Sequence, residues 1–598
     1  MKILKQKNKN FKAMKKIVLL NIFLMVSCLL FAQTQNDTTK VARDVTIERE
    51  YNPVIMDAKK VNQNLVISEP EFEKKEVVYS QYNTPLHLKS PSVTIPQAPL
   101  TVMNRTNYKK GYAKLAIAVP LNWEIDFAYP LINTSDCKLN FRIDHEGQWW
   151  NGKKKNFRIE NNAQTWLHQQ YFDTKANLNF QKNFSASELY SNLSYHNRAF
   201  NYYGTTEIFG DKSFIKASKT TTADSLVKRY ERFNNIDFNI GYKALPSANF
   251  YYDVQAAYHL FSIPSQFSEH QIDVKTEFNI PIAKNSLSFK LGAENLLYSK
   301  SKEYNDSLQE VSSVIEFSPK FNIKRELYHL HIGLKSFFAI NRGQLVNIAP
   351  DVELEYYINP KVVSFYLGVT GNYELNSLRA LYAENWYLNI NQNKMDTYTP
   401  LDAYFGFKIK PTSHLFIDAF VRYKILLGQH FFVNQTYEQI GTSDTLYYAN
   451  TFGIIDANWQ ALNAGIHLKY NYKDHFDVFF KGQYNGWYKM KNTTESFAWN
   501  QPTFEISVGG NVNITKDVRL SANYYLASNR KVALPNKEVV RLRDIHDFNL
   551  SASYTYNNWL TAFLKVDNLL GMIPSVRYQN WYGYDVLGSV MAGVIFSF

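Results

Sequence analysis

The 598-residue sequence predicts an all-β fold, a transmembrane antiparallel β-barrel of about 22 strands (range 18–22) that follows a mostly extended N-terminal periplasmic segment. Three observations lead to this prediction. The chain begins with an export signal, its later segments alternate apolar and polar residues with period two, and short polar turns alternate with long loops between those segments. Together they indicate a barrel that crosses a membrane with strands.

A secretory signal peptide is predicted for residues 1–32. Seven lysines and no acidic residue precede the apolar run "IVLLNIFLMVSCLLFA" at 17–32, and the polar residues "QTQND" follow Ala32. A basic start, a short apolar run and a small residue at its end are typical of a signal that is cleaved, here after Ala32. An uncleaved membrane anchor is the alternative.

Charge and cysteine content exclude several classes of protein. The formal net charge of +13 includes the seven signal lysines, so the mature chain carries 13 − 7 = +6, and a nucleic-acid partner is not expected. Only Cys137 of the two cysteines remains after cleavage, which excludes an intramolecular disulfide and a cysteine-based metal framework. No second apolar run of about 20 residues occurs, so we expect no transmembrane helix.

Period-two alternation predicts strands with one apolar face. In 504–514, Phe504, Ile506 and Val508 alternate with Glu505 and Ser507, and the same pattern recurs at 402–410, 462–470, 518–526 and 548–556. These runs have about 9 to 14 residues, close to the roughly 9–11 that a tilted strand needs to cross a bilayer and longer than the about 5–6 of a globular strand. We therefore expect outer-membrane lipid to cover the apolar faces. The alternative is a secreted soluble β-sandwich.

Two kinds of connection separate these strands. Ten short turns are predicted near residues 134, 184, 246, 284, 325, 360, 412, 474, 516 and 557, and longer loops at 203–230, 376–398, 424–458, 489–502, 528–543 and 568–586. With both chain ends on the short-turn side, ten turns imply eleven connections on the other side and 22 strands within residues 109–598. This layout is typical of a barrel in the outer membrane of a Gram-negative bacterium.

The last strand, "VMAGVIFSF", is predicted to close the barrel by pairing with the first strand, which starts near Gly111. An open sheet edge in hydrocarbon is not viable, because each backbone group without a hydrogen bond costs several kcal/mol there. Val594, Phe596 and Phe598 are then expected to face lipid. The terminal aromatic residue also resembles the assembly signal of outer-membrane proteins.

Residues 33–108 differ from the rest of the mature chain. They carry many charges and six prolines and show no sustained periodicity. This composition predicts a mostly extended periplasmic segment. This segment and the long loops are the expected contact sites for a periplasmic or surface protein partner.

A family resemblance comes from the C-terminal region. "VDNLL" at 566–570, "YQNWYGYDVLG" at 578–588 and a last strand that ends in Phe598 resemble the C-terminal region of TonB-dependent receptors of Bacteroidetes type. "FAQ" at 31–33 and "EREYNPVIMDA" at 48–58 resemble exported proteins of the same group. The resemblance implies an outer-membrane barrel that takes part in transport across that membrane.

The chain departs from those receptors ahead of the barrel. They carry a plug domain of well over a hundred residues, whereas only about 75 residues precede the first strand here. We therefore predict a barrel without a standard plug, to which energised import cannot be carried over. The alternative function is that of a non-transporting barrel subunit or scaffold in an outer-membrane protein complex.

Charged residues that alternate with lipid-facing ones are expected to line the lumen. In the C-terminal half the cations in such positions are Lys408, Lys410, Arg422, Lys469, Lys481 and Arg519. They predict either a preference for an anionic solute or, as we favour, salt bridges that stiffen a wide barrel.

A pair of histidines and a pair of glutamates share neighbouring strands. A hairpin reversal near 342 pairs His331 with Glu353 and His329 with Glu355. Imidazole and carboxylate groups can bind a divalent metal, but we favour cross-strand charge pairs and predict no metal site. HExxH, GxSxG and P-loop motifs are absent from the sequence, so we expect neither an enzyme nor a cofactor.

Overall fold

The computed structural model describes residues 110–598 with gaps at 156–163, 203–229, 246–249, 265, 301–310, 361, 390–393, 439–445, 474, 492, 534–538 and 581–584. The predicted signal peptide (1–32), the predicted periplasmic segment (33–108) and nearly all of the expected loop at 203–230 lie outside the described residues. Within the described part of the chain, no helix is long and apolar enough to span a membrane.

Strands form most of the described chain. They are β1 (Tyr112–Val119), β2 (Asn122–Asn133), β3 (Cys137–Lys155), β4 (Gln164–Asn183), β5 (Ser187–Asn201), β6 (Tyr230–Ala244), β7 (Tyr251–Ile263), β8 (Phe267–Ile282), β9 (Asn285–Lys300), β10 (Val311–Lys324), β11 (Tyr328–Ile340), β12 (Val346–Asn359), β13 (Val363–Glu374), β14 (Thr397–Ile409), β15 (Leu415–Glu438), β16 (Leu446–Tyr472), β17 (Phe476–Lys489), β18 (Phe504–Asn513), β19 (Val518–Ser528), β20 (Lys531–Ala533), β21 (Val539–Arg541), β22 (Ile545–Asn557), β23 (Leu560–Asp567) and β24 (Ser589–Ser597). Two short helical segments are α1 (Leu378–Glu384) and the 3₁₀ helix η1 (Leu569–Met572).

Twenty-two of these strands form one closed antiparallel sheet. Each pairs with its neighbours in chain order, except that β19 pairs with β22, because β20 and β21 form a separate hairpin in the connection between them. β1 pairs with both β2 and β24, which closes the ring. The predicted all-β barrel of 22 strands is confirmed.

The connections follow the predicted layout. Ten short turns join β2 to β3, β4 to β5 and so on to β22 and β23, and eleven connections lie on the other side. One predicted loop is wrong: within 424–458, β15 continues to Glu438 and β16 begins at Leu446. Other parts of the chain cover both faces of this long hairpin, so its apolar residues lie on both sides and the simple period-two signal is lost.

The two faces of the wall are clear along β6. Ile236, Phe238 and Ile240 are 37%, 40% and 41% exposed and form part of the outer apolar surface. Asp237 lies between them and points the other way, where its Oδ1 atom lies 2.5 Å from Nδ1 of His259 on β7. Apolar residues therefore face outward, as contact with hydrocarbon requires, and polar residues face the lumen.

β24 forms the seam of the barrel with β1. The Gly111 N–H donates to the Phe598 carbonyl at 2.8 Å, and the Phe598 N–H donates to the Gly111 carbonyl at 3.0 Å. The Phe598 ring stacks against Phe127 and Tyr129, with ring centroids 6.2 and 6.1 Å apart. Phe596 and Phe598 are exposed on the outer surface. Val594, two residues before Phe596 on the same face of β24, is half-buried.

Candidate functional site

The connection between β13 and β14, here called the inner loop (residues 375–396, described at 375–389 and 394–396), folds back toward the barrel. Ser377 begins α1 by accepting a hydrogen bond from the Ala380 N–H at 3.1 Å, and the Asn385 N–H closes it on the Leu381 carbonyl at 2.9 Å. A helix of seven residues is not stable alone in water. Its contacts with the rest of the barrel must hold it.

One side of the inner loop packs against the inner face of β6 and β7. The Tyr382 ring of α1 lies 6.0 Å from Phe233 and 5.2 Å from Phe261, centroid to centroid. Phe233 is on the same face of β6 as Asp237 and opposite the outward-facing Ile236. This contact therefore lies inside the barrel.

The other side of the inner loop pairs with the long β15–β16 hairpin. Leu388 forms a parallel β-bridge with Phe452. In this bridge the Asn389 N–H donates to the Phe452 carbonyl and the Phe452 N–H donates to the Tyr387 carbonyl, both at 2.9 Å. Because β6 and β16 are ten positions apart in a ring of 22 strands, the inner loop joins nearly opposite sides of the barrel.

A β-bulge at Gly428 directs the hairpin toward the inner loop. The register shifts between Leu426 and Gln429, and Gly428 has φ +69°, a conformation that favours glycine. A Cβ atom at this position would lie 2.5 Å from the Asp396 carbonyl oxygen of the inner loop. Bulges bend the strand that contains them, which accounts for the inward course of the hairpin beyond Gly428.

Both faces of the hairpin beyond Gly428 are covered. Phe432 belongs to the apolar cluster around the inner loop. Its neighbour Phe431 points the opposite way, where its ring lies 5.7 Å from Trp459 and 5.3 Å from Trp487. Trp499, from the connection between β17 and β18, packs on this second cluster.

The last long connections add to the same assembly. Arg530 is buried, and its Nη2 donates to the carbonyls of Arg543 and Gln579, each at 2.9 Å. Burial lowers the pKa of Arg530 to about 10. Tyr578 is buried beside Ala527 of β19.

The name loop layer is used for these parts together: the inner loop, the hairpin beyond Gly428, and the connections 490–503, 529–544 and 568–588.

Glu269 of β8 holds the start of α1. Its Oε2 accepts a hydrogen bond from the Leu378 N–H at 2.7 Å, and its Oε1 accepts one from the Arg379 N–H at 3.0 Å. These N–H groups have no partner within a helix, so an acceptor from elsewhere is needed. The Arg379 guanidinium lies 3.6 Å from Oδ1 of Asp237 and donates to Oε1 of Gln271 at 3.3 Å.

Lys394 lies at the end of the inner loop with its side chain 4% exposed. Its Nζ donates to the Tyr298 hydroxyl of β9 at 3.0 Å and lies 4.0 Å from the Glu269 carboxylate. Burial lowers the pKa of Lys394 to about 7, against the opposing effect of Glu269. The ammonium group is therefore close to losing its charge near neutral pH.

Residues 395 and 396, which follow Lys394, are held through two aspartates. Asp396 accepts a hydrogen bond from the Tyr373 hydroxyl at 3.0 Å, and its Oδ1 lies 3.4 Å from Nη1 of Arg342. Asp456 of β16 accepts one from the Met395 N–H at 2.8 Å. Charged and polar groups from several wall strands therefore converge on the two ends of the inner loop.

The barrel is similar to solved receptor structures. The siderophore receptor PirA from Acinetobacter baumannii matches with a TM-score of 0.60 at 10% identity, over 83% of this chain and 81% of the receptor. A mutant of the ferric enterobactin receptor PfeA from Pseudomonas aeruginosa, in complex with enterobactin, matches at 0.56 and 10%, over 82% and 81%. The copper transporter OprC matches at 0.56 and 10%, over 82% and 80%. No family model and no curated protein matches the sequence.

This chain is a closed 22-stranded β-barrel with the fold of those receptors. The predicted likeness to TonB-dependent receptors is confirmed for the barrel. The Bacteroidetes type and the lack of a standard plug stay predictions, and the residues ahead of the barrel lie outside the described part of the chain.

Two of the predicted lumen cations form ion pairs of 3.2 Å or less across the wall. Lys408 Nζ lies 3.2 Å from Oε1 of Glu355 on β12, two strands away. Arg422 Nε lies 2.6 Å from Oδ1 of Asp402 on the adjacent β14. Such pairs connect strands that are one or two positions apart on the inner face of the barrel.

The other four predicted lumen cations differ among themselves. Arg519 lies 3.9 Å from Asp477. Lys469 and Lys481 are exposed on the inner face of β16 and β17, and no carboxylate of the described residues lies within 4.0 Å of either ammonium group. Lys410 is exposed in the turn that follows β14. A preference for an anionic solute stays a prediction.

The histidine and glutamate pairs have the predicted register. His331 lies opposite Glu353 and His329 lies opposite Glu355. Glu353 accepts a hydrogen bond from the Tyr404 hydroxyl of β14 at 2.6 Å, so it is bonded to a strand beyond its neighbour. Among the described residues, no group of three or more His, Cys, Asp or Glu side chains is arranged to hold a metal ion.

The loop layer was not predicted from the sequence, although one signal for it exists. Leu378, Leu381 and Tyr382 have helical spacing and directly follow Ser377, a residue that favours helix starts. Glu269 carries no such signal, because alternation assigns it to the lumen in the same way as Glu277 of the same strand. Only the folded chain shows that it contacts residue 378.

Proposed function

We propose that the barrel takes part in the transport of a solute across the outer membrane and that the loop layer closes its outer mouth at rest. The observation that carries this proposal is the inner loop, which links nearly opposite sides of the ring through Tyr382 and Leu388. The proteins with the same fold include two receptors for iron carriers and a copper transporter, which supports transport as the role.

Conductance in planar lipid bilayers tests this proposal. We compare the purified full chain with a variant in which residues 377–389 are replaced by a Gly-Ser linker of equal length. A Gly-Ser replacement of the short turn at 514–517 is the control, because that turn lies on the opposite side of the barrel. We expect the inner-loop variant to spend at least tenfold more time open than the wild type and the control. Equal conductance of all three contradicts passage through the lumen.

A second function is favoured by the density of the loop layer, in which Phe431, Phe432 and Trp459 are only 1–2% exposed, as in a permanent core. In this case the barrel is a non-transporting subunit or scaffold, and residues 33–108 or the long loops bind a periplasmic or surface protein. The test is a pull-down from native membranes in mild detergent, followed by mass spectrometry, with and without residues 33–108. A partner that disappears with the deletion supports this function, and a barrel that purifies alone in both forms contradicts it.

A further inference from the structure

Buried charges are concentrated where the inner loop meets the wall. Glu269 and Asp396 are 1% and 2% exposed as side chains, Lys394 is 4% exposed and Arg342 is 7% exposed. Burying charges is expensive, and an apolar cluster of the same volume often stabilises a fold as well or better. Apolar contacts, such as those of the aromatic cluster around Tyr382, are the ordinary way to hold such a loop. The charged groups therefore need a reason beyond stability.

The hydrogen bonding of these groups is incomplete. Among the described residues, Nε of Arg342, Nε of Arg379 and Oδ1 of Asp456 are buried and have no hydrogen-bond partner. Each such atom loses its bonds to water when the loop closes, at a cost of about 1–3 kcal/mol. Water can restore these bonds as soon as the loop leaves the wall. The closed arrangement is thus less stable than one in which every buried polar atom has a hydrogen-bond partner. The loop can therefore leave the wall more easily.

The charged contacts also act on the inner loop from several directions. Glu269 belongs to β8, Asp456 to β16, and Arg342 to the connection between β11 and β12. Glu269 bonds the two N–H groups at the start of α1, while Arg342 and Asp456 bond residues 395 and 396 near the other end of the loop. Loss of these contacts frees both ends, and α1 is too short to persist alone.

We propose that Glu269, Arg342, Lys394, Asp396 and Asp456 form an ionic latch that keeps the inner loop closed and releases it as one unit. The inference rests on the proposed transport function and assigns the moving part to the described residues of the inner loop, 375–389 and 394–396. In the closed state the latch holds α1 against β8. In the open state the charges are hydrated and α1 is unfolded.

Charge-neutral variants test the latch. Glu269→Gln keeps the shape of the side chain but removes the charge that faces Lys394 and the N–H groups of Leu378 and Arg379. Glu277→Gln is the matched control, because Glu277 lies on the same strand and the same face, eight residues nearer the short-turn end. We expect at least a fivefold increase in open time for Glu269→Gln and no change for Glu277→Gln. Equal open times for the two variants contradict the latch.

A disulfide lock gives a second test that does not depend on weakening the fold. Leu388→Cys and Phe452→Cys are introduced together at the β-bridge, in a Cys137→Ser background that leaves no other thiol in the mature chain. Combined with Glu269→Gln, the oxidised form should lose the added conductance and dithiothreitol should restore it. Conductance that is the same before and after reduction, with the disulfide verified by mass spectrometry, overturns the assignment of the moving part.

The inner-loop replacement separates failure of the latch from failure of the transport function. If the replaced loop conducts while Glu269→Gln does not, the latch is wrong and the lumen is still a path. If neither conducts, passage through the lumen is contradicted and the latch with it. Heat-modifiable migration on SDS gels shows for each variant that the barrel is folded.

Discussion

The barrel wall and the loop layer are stabilised in different ways. In the wall, strands that follow each other in the chain pair along their backbones, and ion pairs such as Arg422 with Asp402 join adjacent strands. In the loop layer, side chains far apart in sequence meet, as Glu269 does with Leu378, and charges are buried with incomplete hydrogen bonding. Closure of the ring thus depends on the backbone, whereas the loop layer depends on side chains that single substitutions can change.

Removal of the seam should have the largest effect. Deletion of residues 590–598 removes the partner of both β1 and β23, and the open edges that result are not viable in hydrocarbon. We expect no heat-modifiable barrel in the outer membrane, whereas the replacement of residues 377–389 should leave the barrel intact. A folded barrel after the deletion would show that the wall does not depend on its seam.

An arginine introduced on either face of β6 compares the lipid-facing and lumen-facing sides of the wall. Phe238→Arg places a cation in lipid near the middle of β6 and should cost about 2–4 kcal/mol of unfolding free energy. Asn239→Arg, on the lumen face, loses the bond from the Asn192 N–H and should cost only about 1 kcal/mol. Urea unfolding in detergent micelles measures both values. Equal costs would argue against lipid on the outer face.

The bulge at Gly428 provides a smaller change that is confined to the loop layer. Gly428→Ala combines an unfavourable φ with a close approach to the Asp396 carbonyl and should cost about 1–3 kcal/mol. Gly343→Ala separates the two effects, because Gly343 has φ +54° but an added Cβ atom there would meet no other atom within 4 Å, and it should cost about 1 kcal/mol. We expect faster proteolysis of the β15–β16 hairpin for Gly428→Ala alone. Similar rates in both variants would mean that contact with Asp396 is unimportant.

The smallest expected effect is a pH dependence of the proposed latch. Burial lowers the pKa of Lys394 from 10.5 to about 7, with Glu269, Asp396 and Asp456 opposing and Arg342 assisting this shift. Between these values the hydrated open state binds more protons than the closed state, so a fall in pH within this window favours opening. Below about pH 7 both states are protonated and the dependence from this group ends.

Single-channel recording across pH checks this sign. The open time of the wild type should rise as the pH falls from about 9 to about 7, the window in which Lys394 is charged in the open state and neutral in the closed state. Lys394→Met, which keeps the length of the side chain without the amine, should show a flat profile. A slope of equal size in that variant would assign the pH dependence to another group.

The sequence was sufficient for the wall for a physical reason. Alternation of apolar and polar residues and the composition of turns are local features, and in a membrane every strand must find a neighbour, so ten turns imply 22 strands. The same logic places His331 opposite Glu353, because a hairpin register follows from its turn. It fails at 424–458, where the apolar residues of β15 and β16 serve two clusters on opposite faces.

Strand number, turn positions and the lipid-facing side of the wall follow from the alternation of apolar and polar residues along each strand. They also follow from the need to pair every backbone group in hydrocarbon. The loop layer does not. It depends on α1 reaching β8 across the lumen and on charges that meet only after the ring has formed, as Glu269 and Leu378 do at a separation of 109 residues. Contacts of this kind leave no periodic pattern in the chain, so only the tertiary structure decided them.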